Sequence, residues 1–407
     1  MNDKFNIVRK NKKDEDDELY EEDFDNEESE SKTKSSLNND LKKRMLIMMG
    51  AIVGGTIILL IILYIITLFT PKNYSYSEIE KIMKNAAKTY FRDNSSSLPE
   101  SDSDEVEIDV ANLVAGNYMK DLSEYTKEGV ACTGKVIVEK SSDEYLYTPY
   151  LDCGENYATE ELYKKIVNDD NIVNSGYGLY SRNGSYVFRG EEVNNYVQLD
   201  KSLWRIVKVT SNNNIVLINS EGLQMGQPWD DRFNEAKNYN SGINSYNASR
   251  VKEYLDKIYT NPSEKYNEKI LSKSDKEKIL SYNICTGKKP ATSSAFDNVE
   301  ECSEHLNNQR LGLLTISDYV YASIDPNCKT ITSKSCQNYN YLAIKSEWWL
   351  ATADSADTVS VYQVNRSGAV KSTSAGSYAT VRPVIYLNNK VLYKSGNGSF
   401  EKPYKVR

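Results

Sequence analysis

The side chains in this sequence that could hold a ligand lie near its C-terminal end. Trp348 and Trp349 could stack on a sugar ring, and the guanidinium of Arg382 could hold an acidic group. Asp354, shortly after the tryptophan pair, is a candidate partner for the arginine. These four residues are the ligand-binding residues that the sequence predicts.

The same residues also have a structural interpretation. Adjacent residues on a strand point to opposite faces, so Trp348 and Trp349 cannot line one wall of a pocket, and one of them should be in the core. Arg382 interrupts an apolar run, where a charge is costly unless an acid such as Asp354 or Asp357 pairs with it. We expect a structural ion pair in preference to a ligand contact.

Residues suited to catalysis are scarce. His305 is the only histidine, which removes most hydrolase triads, and we expect it to lie on the surface. Two pairs of adjacent acids could serve glycoside hydrolysis, although such pairs in loops are usually only solvated. They are Asp230 with Asp231 and Glu300 with Glu301. We therefore predict no catalytic residue and no cofactor.

The six cysteines form three close pairs along the chain, a pattern typical of disulfides in an oxidising compartment. The simplest connectivity joins neighbours, which gives Cys132–Cys153, Cys285–Cys302 and Cys328–Cys336. A metal site is not expected, because the sequence has no Cys-x-x-Cys motif and a single histidine. The cysteines thus indicate that the segment carrying them lies outside the cytoplasm.

One apolar stretch, residues 45–69, has no charged residue and predicts a transmembrane helix. At the helical rise it reaches roughly 37 Å, enough for a hydrocarbon core of about 30 Å. It is longer than the apolar region of a signal peptide and lacks a small-residue cleavage site, so we expect an uncleaved anchor in the cell membrane. Basic residues cluster just before it, which predicts a cytoplasmic N-terminus and an extracellular C-terminal region.

The tail before this helix, residues 1–44, is acidic. Residues 14–30 hold twelve acidic residues and no basic one, so we expect a disordered cytoplasmic tail that could bind a cytoplasmic partner. Of the net charge of −8, this tail carries −4 and the remainder of the chain −4. The external part has no surplus of positive charge, which argues against binding to nucleic acid.

The first external segment, residues 74–160, is predicted to be a small α+β unit stapled by one disulfide. Its predicted elements are a helix over residues 76–92 with Ser77 as N-cap, a helix over 110–114, and strands over 135–140 and 145–151. This plan resembles that of pilin-like surface subunits. The processing site and the glutamate of a prepilin are missing from the sequence.

Residues 161–175 are predicted to be a connector, and residues 176–407 a larger domain of short strands. The predicted strands lie at 178–180, 186–190, 194–197, 203–209, 215–218, 360–365, 381–387 and 390–394. Helices are predicted over residues 248–259 and 274–280. The fold class is therefore α+β, with a single membrane span and two external units.

Nine motifs in this larger domain carry a family resemblance. They are GLY, NNYV (194–197), LWRIV (203–207), YNASRVKEYLDKIY (246–259), LLTISDYVYAS (313–323), EWWLAT (347–352), VNRSGAV (364–370), VRPVIYL (381–387) and GNGSFEKPY (396–404). In this order they resemble an extracellular domain of unknown function found in membrane-anchored proteins of low-GC Gram-positive bacteria. The resemblance covers about residues 176–406.

The Trp-Trp-Leu and Val-Arg-Pro segments also resemble, more distantly, the C-type-lectin-like fold shared with formylglycine-generating enzymes. This resemblance implies an irregular mixed α/β domain with few helices and long loops, used for ligand display. The calcium-binding motif of sugar-binding lectins is absent, and Asp325-Pro326-Asn327 matches it only in part. The copper-binding cysteine pair of the enzymes cannot be placed.

These features predict a membrane-anchored cell-surface protein that functions in binding or adhesion. Its ligand would be a cell-wall glycan, a host glycan or a surface protein. One alternative is an extracellular enzyme that acts on envelope polymers or exported proteins. A further alternative is a pilin-like or secretion-accessory subunit.

Overall fold

The computed structural model describes residues 30–69, 74–101, 104–141, 144–234, 242–260 and 270–407. The chain divides into two compact units, Met1–Asn73 and Tyr74–Arg407. The described residues form a mixed α+β structure, which confirms the predicted fold class at this level. Residues 1–29 of the acidic tail lie outside the described residues, so their disorder stays a prediction.

The first unit contains one long helix, α1 (Glu30–Phe69). Its segment Asn39–Tyr64 is long and apolar enough to cross a membrane. The helix ends at the predicted residue but begins well before Met45, inside the segment that was predicted to be disordered. Helical spacing places Asp40 and Arg44 one turn apart, with 3.7 Å between their charged atoms, an arrangement that favours helix.

The second unit begins with a helix that packs on a small sheet. Its first elements are α2 (Tyr76–Asp93), β1 (Glu105–Asp109), α3 (Val110–Ala115), β2 (Thr133–Ser141) and β3 (Glu144–Asp152). The central strand β2 pairs antiparallel with both β1 and β3. Apolar side chains of α2, such as Ile79, Met83 and Phe91, are buried in the core beside this sheet.

Two details of this part differ from the prediction. The N-cap of α2 is Ser75, which forms a capping box with Glu78: the carboxylate accepts a hydrogen bond from the Ser75 N–H at 2.8 Å, while Ser77 lies in the first turn. Strand β1 was not predicted, because its alternate residues Glu105, Glu107 and Asp109 are acids, which have low strand propensity.

All three predicted disulfides are confirmed: Cys132–Cys153, Cys285–Cys302 and Cys328–Cys336. Each joins neighbours in sequence, and Cys132–Cys153 closes the base of the β2–β3 hairpin. The described residues contain no free cysteine.

We expect loss of the Cys132–Cys153 disulfide to destabilise the protein by about 3 kcal/mol, because the bond restricts a 21-residue loop in the unfolded chain. Thermal unfolding of a Cys132→Ala/Cys153→Ala variant would measure the loss. Mass spectrometry of unreduced wild-type protein should show the two cysteines linked. Free thiols at both positions in protein taken from the native cell surface would contradict the oxidising compartment.

The remainder of the second unit is built mainly from short strands. Its helices are α4 (Leu162–Ile166), α5 (Arg250–Thr260), α6 (Lys273–Lys276) and α7 (Ile316–Tyr321). Its strands are β4 (Gly178–Arg182), β5 (Ser185–Arg189), β6 (Tyr196–Leu199), β7 (Ser202–Val209), β8 (Ile215–Asn219), β9 (Gln227–Pro228), β10 (Tyr282–Cys285), β11 (Lys288–Lys289), β12 (His305–Gln309), β13 (Trp348–Asp354), β14 (Ser360–Val364), β15 (Val370–Ser374), β16 (Tyr378–Ala379), β17 (Val384–Leu387), β18 (Tyr393–Ser395) and β19 (Tyr404–Val406).

These strands form one large sheet and one smaller sheet, with two short strand pairs, β10–β12 and β9–β16. The large sheet has the order β17-β8-β7-β6-β19-β18, and β5 also pairs with β7 while β4 pairs with β5. The smaller sheet has the order β11-β13-β14-β15. Every residue of β8 and β13 is buried, so these strands carry the continuous apolar runs expected for strands covered on both faces.

The second unit contains two hydrophobic cores. One is formed by residues between Ile79 and Cys153, and the other by residues between Leu162 and Tyr404. We call the corresponding parts the small lobe (74–153) and the large lobe (162–407). Polar contacts join them: Lys390 of the large lobe forms an ion pair of 3.0 Å with Glu105, and Arg407 forms one with Glu80.

Candidate ligand-binding cleft

The two tryptophans that the sequence singles out are both buried. Trp348 and Trp349 lie on β13 with no exposed surface, because the strand is covered on both faces. The indole N–H of Trp349 donates a hydrogen bond of 2.7 Å to the carbonyl of Gln227. We expected one of the pair to be in the core, and the structure places both there.

Arg382 is also buried, with 1% of its surface exposed, and it lies over the ring of Trp348 at 4.6 Å. Its guanidinium donates hydrogen bonds of 3.0 to 3.1 Å to the carbonyls of Asn219, Leu342 and Ser220. Burial and the nearby charge of Arg205 lower the pKa of Arg382 to about 9, so the side chain stays cationic at neutral pH.

The expected pairing of Arg382 with Asp354 or Asp357 is not what the structure shows. The carboxylate of Asp354 accepts a hydrogen bond from the N–H of Ala356, and that of Asp357 accepts from Val359 and Ser360 in the following turn. Main-chain carbonyls can accept hydrogen bonds from a guanidinium in place of an acid, and three of them do so for Arg382. All four predicted residues are buried, and a ligand role for them stays a prediction.

The single histidine lies next to a disulfide. His305 is exposed, as expected, and its Nε2 is 3.8 Å from Sγ of Cys285. Cys285, Cys302 and His305 lie close enough together to hold a metal ion. The two sulfur atoms are bonded to each other, so neither can act as a thiolate ligand.

Two adjoining hollows lie between the small and large lobes and form one elongated cleft. Their volumes are about 240 and 760 Å³, and residues such as Lys84, Tyr147 and Lys278 line both. The small lobe contributes residues of α2 and β3. The large lobe contributes α6 and the segments around Arg310 and Lys390.

Positive charge dominates this interlobe cleft. Nine cationic side chains line it: Lys81, Lys84, Lys88, Lys273, Lys276, Lys278, Arg310, Lys390 and Arg407. Three acids also line it, Glu80, Glu144 and Glu277. Glu80 forms an ion pair with Arg407 and accepts a hydrogen bond from the hydroxyl of Tyr157, and Lys390 forms an ion pair with Glu105. Lys276 is also engaged, since its ammonium donates to the carbonyl of Tyr259, and the six cations that remain outnumber Glu144 and Glu277.

Two lysines that line both hollows, Lys84 and Lys278, have lowered pKa values. Burial, followed by the charge of Lys88, lowers the pKa of Lys84, and Lys278 adds to the effect. Burial also lowers the pKa of Lys278. Among the residues that the structure describes, Lys84 has no carboxylate within ion-pair distance. Lys278 donates hydrogen bonds of 2.8 and 3.0 Å to the carbonyl and hydroxyl oxygens of Ser274.

Tyrosine rings form part of the wall of the same cleft. The ammonium of Lys88 lies 5.6 Å from the ring centre of Tyr147, and that of Lys276 lies 4.9 Å from the ring centre of Tyr259. The cleft thus presents aromatic surface beside positive charge at two places.

Comparison with known proteins places one part of the chain in a family. A family model described as "Domain of unknown function (DUF6273)" matches residues 212–389. The chain carries a DUF6273 domain. No curated protein and no solved structure matches the chain. The match confirms the expected domain of unknown function over β8 to β17, a shorter range than the predicted resemblance.

The interlobe cleft uses residues from inside and outside the DUF6273 domain. Lys273, Lys278 and Arg310 lie within the matched residues, whereas Lys84 and Lys390 lie outside them. The sequence alone does not reveal this cleft, because its cations are dispersed over the chain. A basic face was visible only in α2, where Lys81, Lys84 and Lys88 recur at helical spacing.

Proposed function

We propose that this protein is a membrane-anchored cell-surface binding protein whose ligand site is the interlobe cleft. In this proposal α1 is an uncleaved anchor, the N-terminal tail is cytoplasmic, and residues 74–407 are displayed outside the cell. The apolar length of α1 and the three disulfides support this arrangement.

The family resemblances seen in the sequence also support a surface binding protein. The nine ordered motifs favour a Gram-positive source, and the Trp-Trp-Leu and Val-Arg-Pro segments favour a distant relation to the C-type-lectin-like fold. Ligand display by such a fold would fit a binding protein with no recognisable catalytic set. The ligand would be an envelope glycan, a host glycan or a surface protein.

The observation that carries the proposal is the charge of the cleft. Folding brings cations of both lobes to one concave surface, although the chain as a whole is acidic. Burial, and after it repulsion from Lys88, lowers the pKa of Lys84, so this arrangement of charges serves stability poorly. A bound ligand would relieve this repulsion.

Blocking the cleft should abolish binding. Ser77 is an exposed residue in the first turn of α2 that lines the cleft, and a Ser77→Trp change would fill the space without altering charge. We expect full-length protein in detergent to be retained by insoluble cell-wall glycan or immobilised mucin, and retention of Ser77→Trp to fall at least about tenfold.

The matched control is Asn85→Trp, an exposed position on the same helix that does not line the cleft. This variant should be retained as wild-type. Equal retention of Ser77→Trp and wild-type would show that the ligand binds elsewhere. Release of soluble sugar or peptide product during incubation would favour the enzymatic alternative.

A further inference from the structure

We propose that the interlobe cleft binds an anionic polymer built on sugars or polyols, with its anionic groups on the lysines and its sugar or polyol backbone along the tyrosine wall. This inference rests on the proposed function, since it names the ligand class for the same site. It excludes a neutral glycan and an apolar peptide as the preferred occupant.

The unbalanced lysines indicate an anionic partner. Lys81, Lys84 and Lys88 lie on one side of α2, and none of them makes an ion pair with a described residue. Across the cleft, Lys278 has only neutral oxygens of Ser274 as hydrogen-bond partners. Sulfate, phosphate or carboxylate groups would supply the charge that the protein does not provide.

The shape of the cleft indicates a chain of anionic groups and not a single small anion. The two hollows adjoin and share several lining residues, and together they extend along the seam between the lobes. The cations are distributed over both hollows, from Arg407 and Lys390 in one to Lys273 and Arg310 in the other. A polymer with repeated charges could contact several of them at once.

The tyrosines indicate the chemistry of the ligand units that connect its anionic groups. Tyr147 and Tyr259 offer ring surface to the C–H face of a sugar or polyol, and each has an ammonium above its ring. A charged group attached to a unit packed on either ring would meet that ammonium. This pairing of ring and cation distinguishes the cleft from a simple patch of surface lysines.

Ligand binding should be coupled to protonation. The pKa of Lys84 is lowered by burial and then by Lys88, with Lys278 in the same direction and Glu277 opposing them. A bound anion would raise that pKa, so binding is coupled to the uptake of a proton by Lys84. Affinity should therefore decrease as the pH rises through the lowered pKa of Lys84.

The test compares two triple variants of the full-length protein in detergent. Lys84→Gln/Lys88→Gln/Lys278→Gln removes three cations of the cleft. Lys127→Gln/Lys329→Gln/Lys334→Gln removes three exposed lysines that do not line it. The changes in net charge are identical, so long-range electrostatics are matched.

Four probes are titrated into each protein by calorimetry: heparin oligosaccharide, poly(glycerol phosphate), neutral chitin oligosaccharide and oligothymidylate. We expect at least one of the first two to bind wild-type about tenfold or more tightly than the chitin oligosaccharide, with affinity that falls as salt rises. The cleft variant should lose about tenfold or more, and the control variant much less. The two anionic probes distinguish a sulfated sugar from a polyol phosphate.

Equal affinity for the neutral oligosaccharide would overturn the inference, as would equal losses in the two variants. Tighter binding of oligothymidylate would assign the cleft to nucleic acid instead. If Ser77→Trp blocks retention on cell-wall glycan or mucin while the lysine variant does not, the ligand class is wrong and the proposed function stands. If neither change affects retention, the proposed function itself fails.

Discussion

Raising the pH above 10 is expected to unfold residues 74–407 in a steep transition. Burial raises the pKa of several tyrosines well above 10, and four of these are almost fully buried, namely Tyr246, Tyr319, Tyr341 and Tyr362. All four are 6% exposed or less. They stay neutral in the folded protein but ionise near pH 10 once the chain unfolds.

The direction of this pH effect depends on whether the folded or the unfolded chain binds more protons. A group whose folded pKa is raised contributes stability that is fully present below its unfolded pKa and is lost as the pH rises above it. Each such tyrosine removes about 1.4 kcal/mol per pH unit above pH 10, so four remove about 5. Arg382, with a pKa lowered to about 9, opposes this with the contribution of one group. For these five groups taken together, the net loss is about 4 kcal/mol per pH unit.

A fold of ordinary stability, about 5–15 kcal/mol, should therefore unfold between about pH 11 and 14. Circular dichroism and the ultraviolet absorbance of phenolate should change together. Tyr246→Phe should reduce the pH dependence by about 1.4 kcal/mol per unit, whereas Tyr378→Phe, at a residue 66% exposed, should leave it unchanged. Smooth ionisation of all tyrosines near pH 10, without loss of structure, would contradict the prediction.

Replacing Arg382 by alanine is expected to lower the free energy of unfolding by about 3–5 kcal/mol. The change leaves the carbonyls of Asn219, Ser220 and Leu342 without their buried donor. It also opens a cavity beside Trp348, which the guanidinium covers. Denaturant unfolding of full-length protein in detergent would measure the loss.

Two further variants separate charge from hydrogen-bond geometry. Arg382→Lys keeps the charge but lacks the planar fork, so it should recover only part of the stability. Arg366→Ala, at an exposed arginine, should change stability by less than about 0.5 kcal/mol. Arg382→Ala with unchanged stability but lost retention on glycan would instead make Arg382 a ligand-binding residue.

The sequence by itself determined the features that depend on neighbours along the chain. The absence of charge from residues 45–69 predicts a long helix, and helical spacing predicts α2. Close spacing predicts the three disulfides, because the shortest loops are the easiest to close. In each case the interacting residues are at most a few turns or one hairpin apart.

Only the tertiary structure decided where the charged and aromatic residues lie. Arg382 binds a carbonyl that is 163 residues away in sequence, and nothing local distinguishes that partner from Asp354. The burial of both Trp348 and Trp349 follows from the coverage of β13 on both faces, which a two-residue alternation cannot reveal.

The interlobe cleft is the clearest case of this kind. Its cations come from α2, from α6 and from segments near the C-terminus, within a chain whose net charge is −8. Net charge and local charge patterning can be read from the sequence, whereas a binding site depends on which charged side chains lie close together in the folded protein. Packing of the small lobe on the large lobe brings Lys84 and Lys278 into the lining of one cleft, which is the ligand site that we propose.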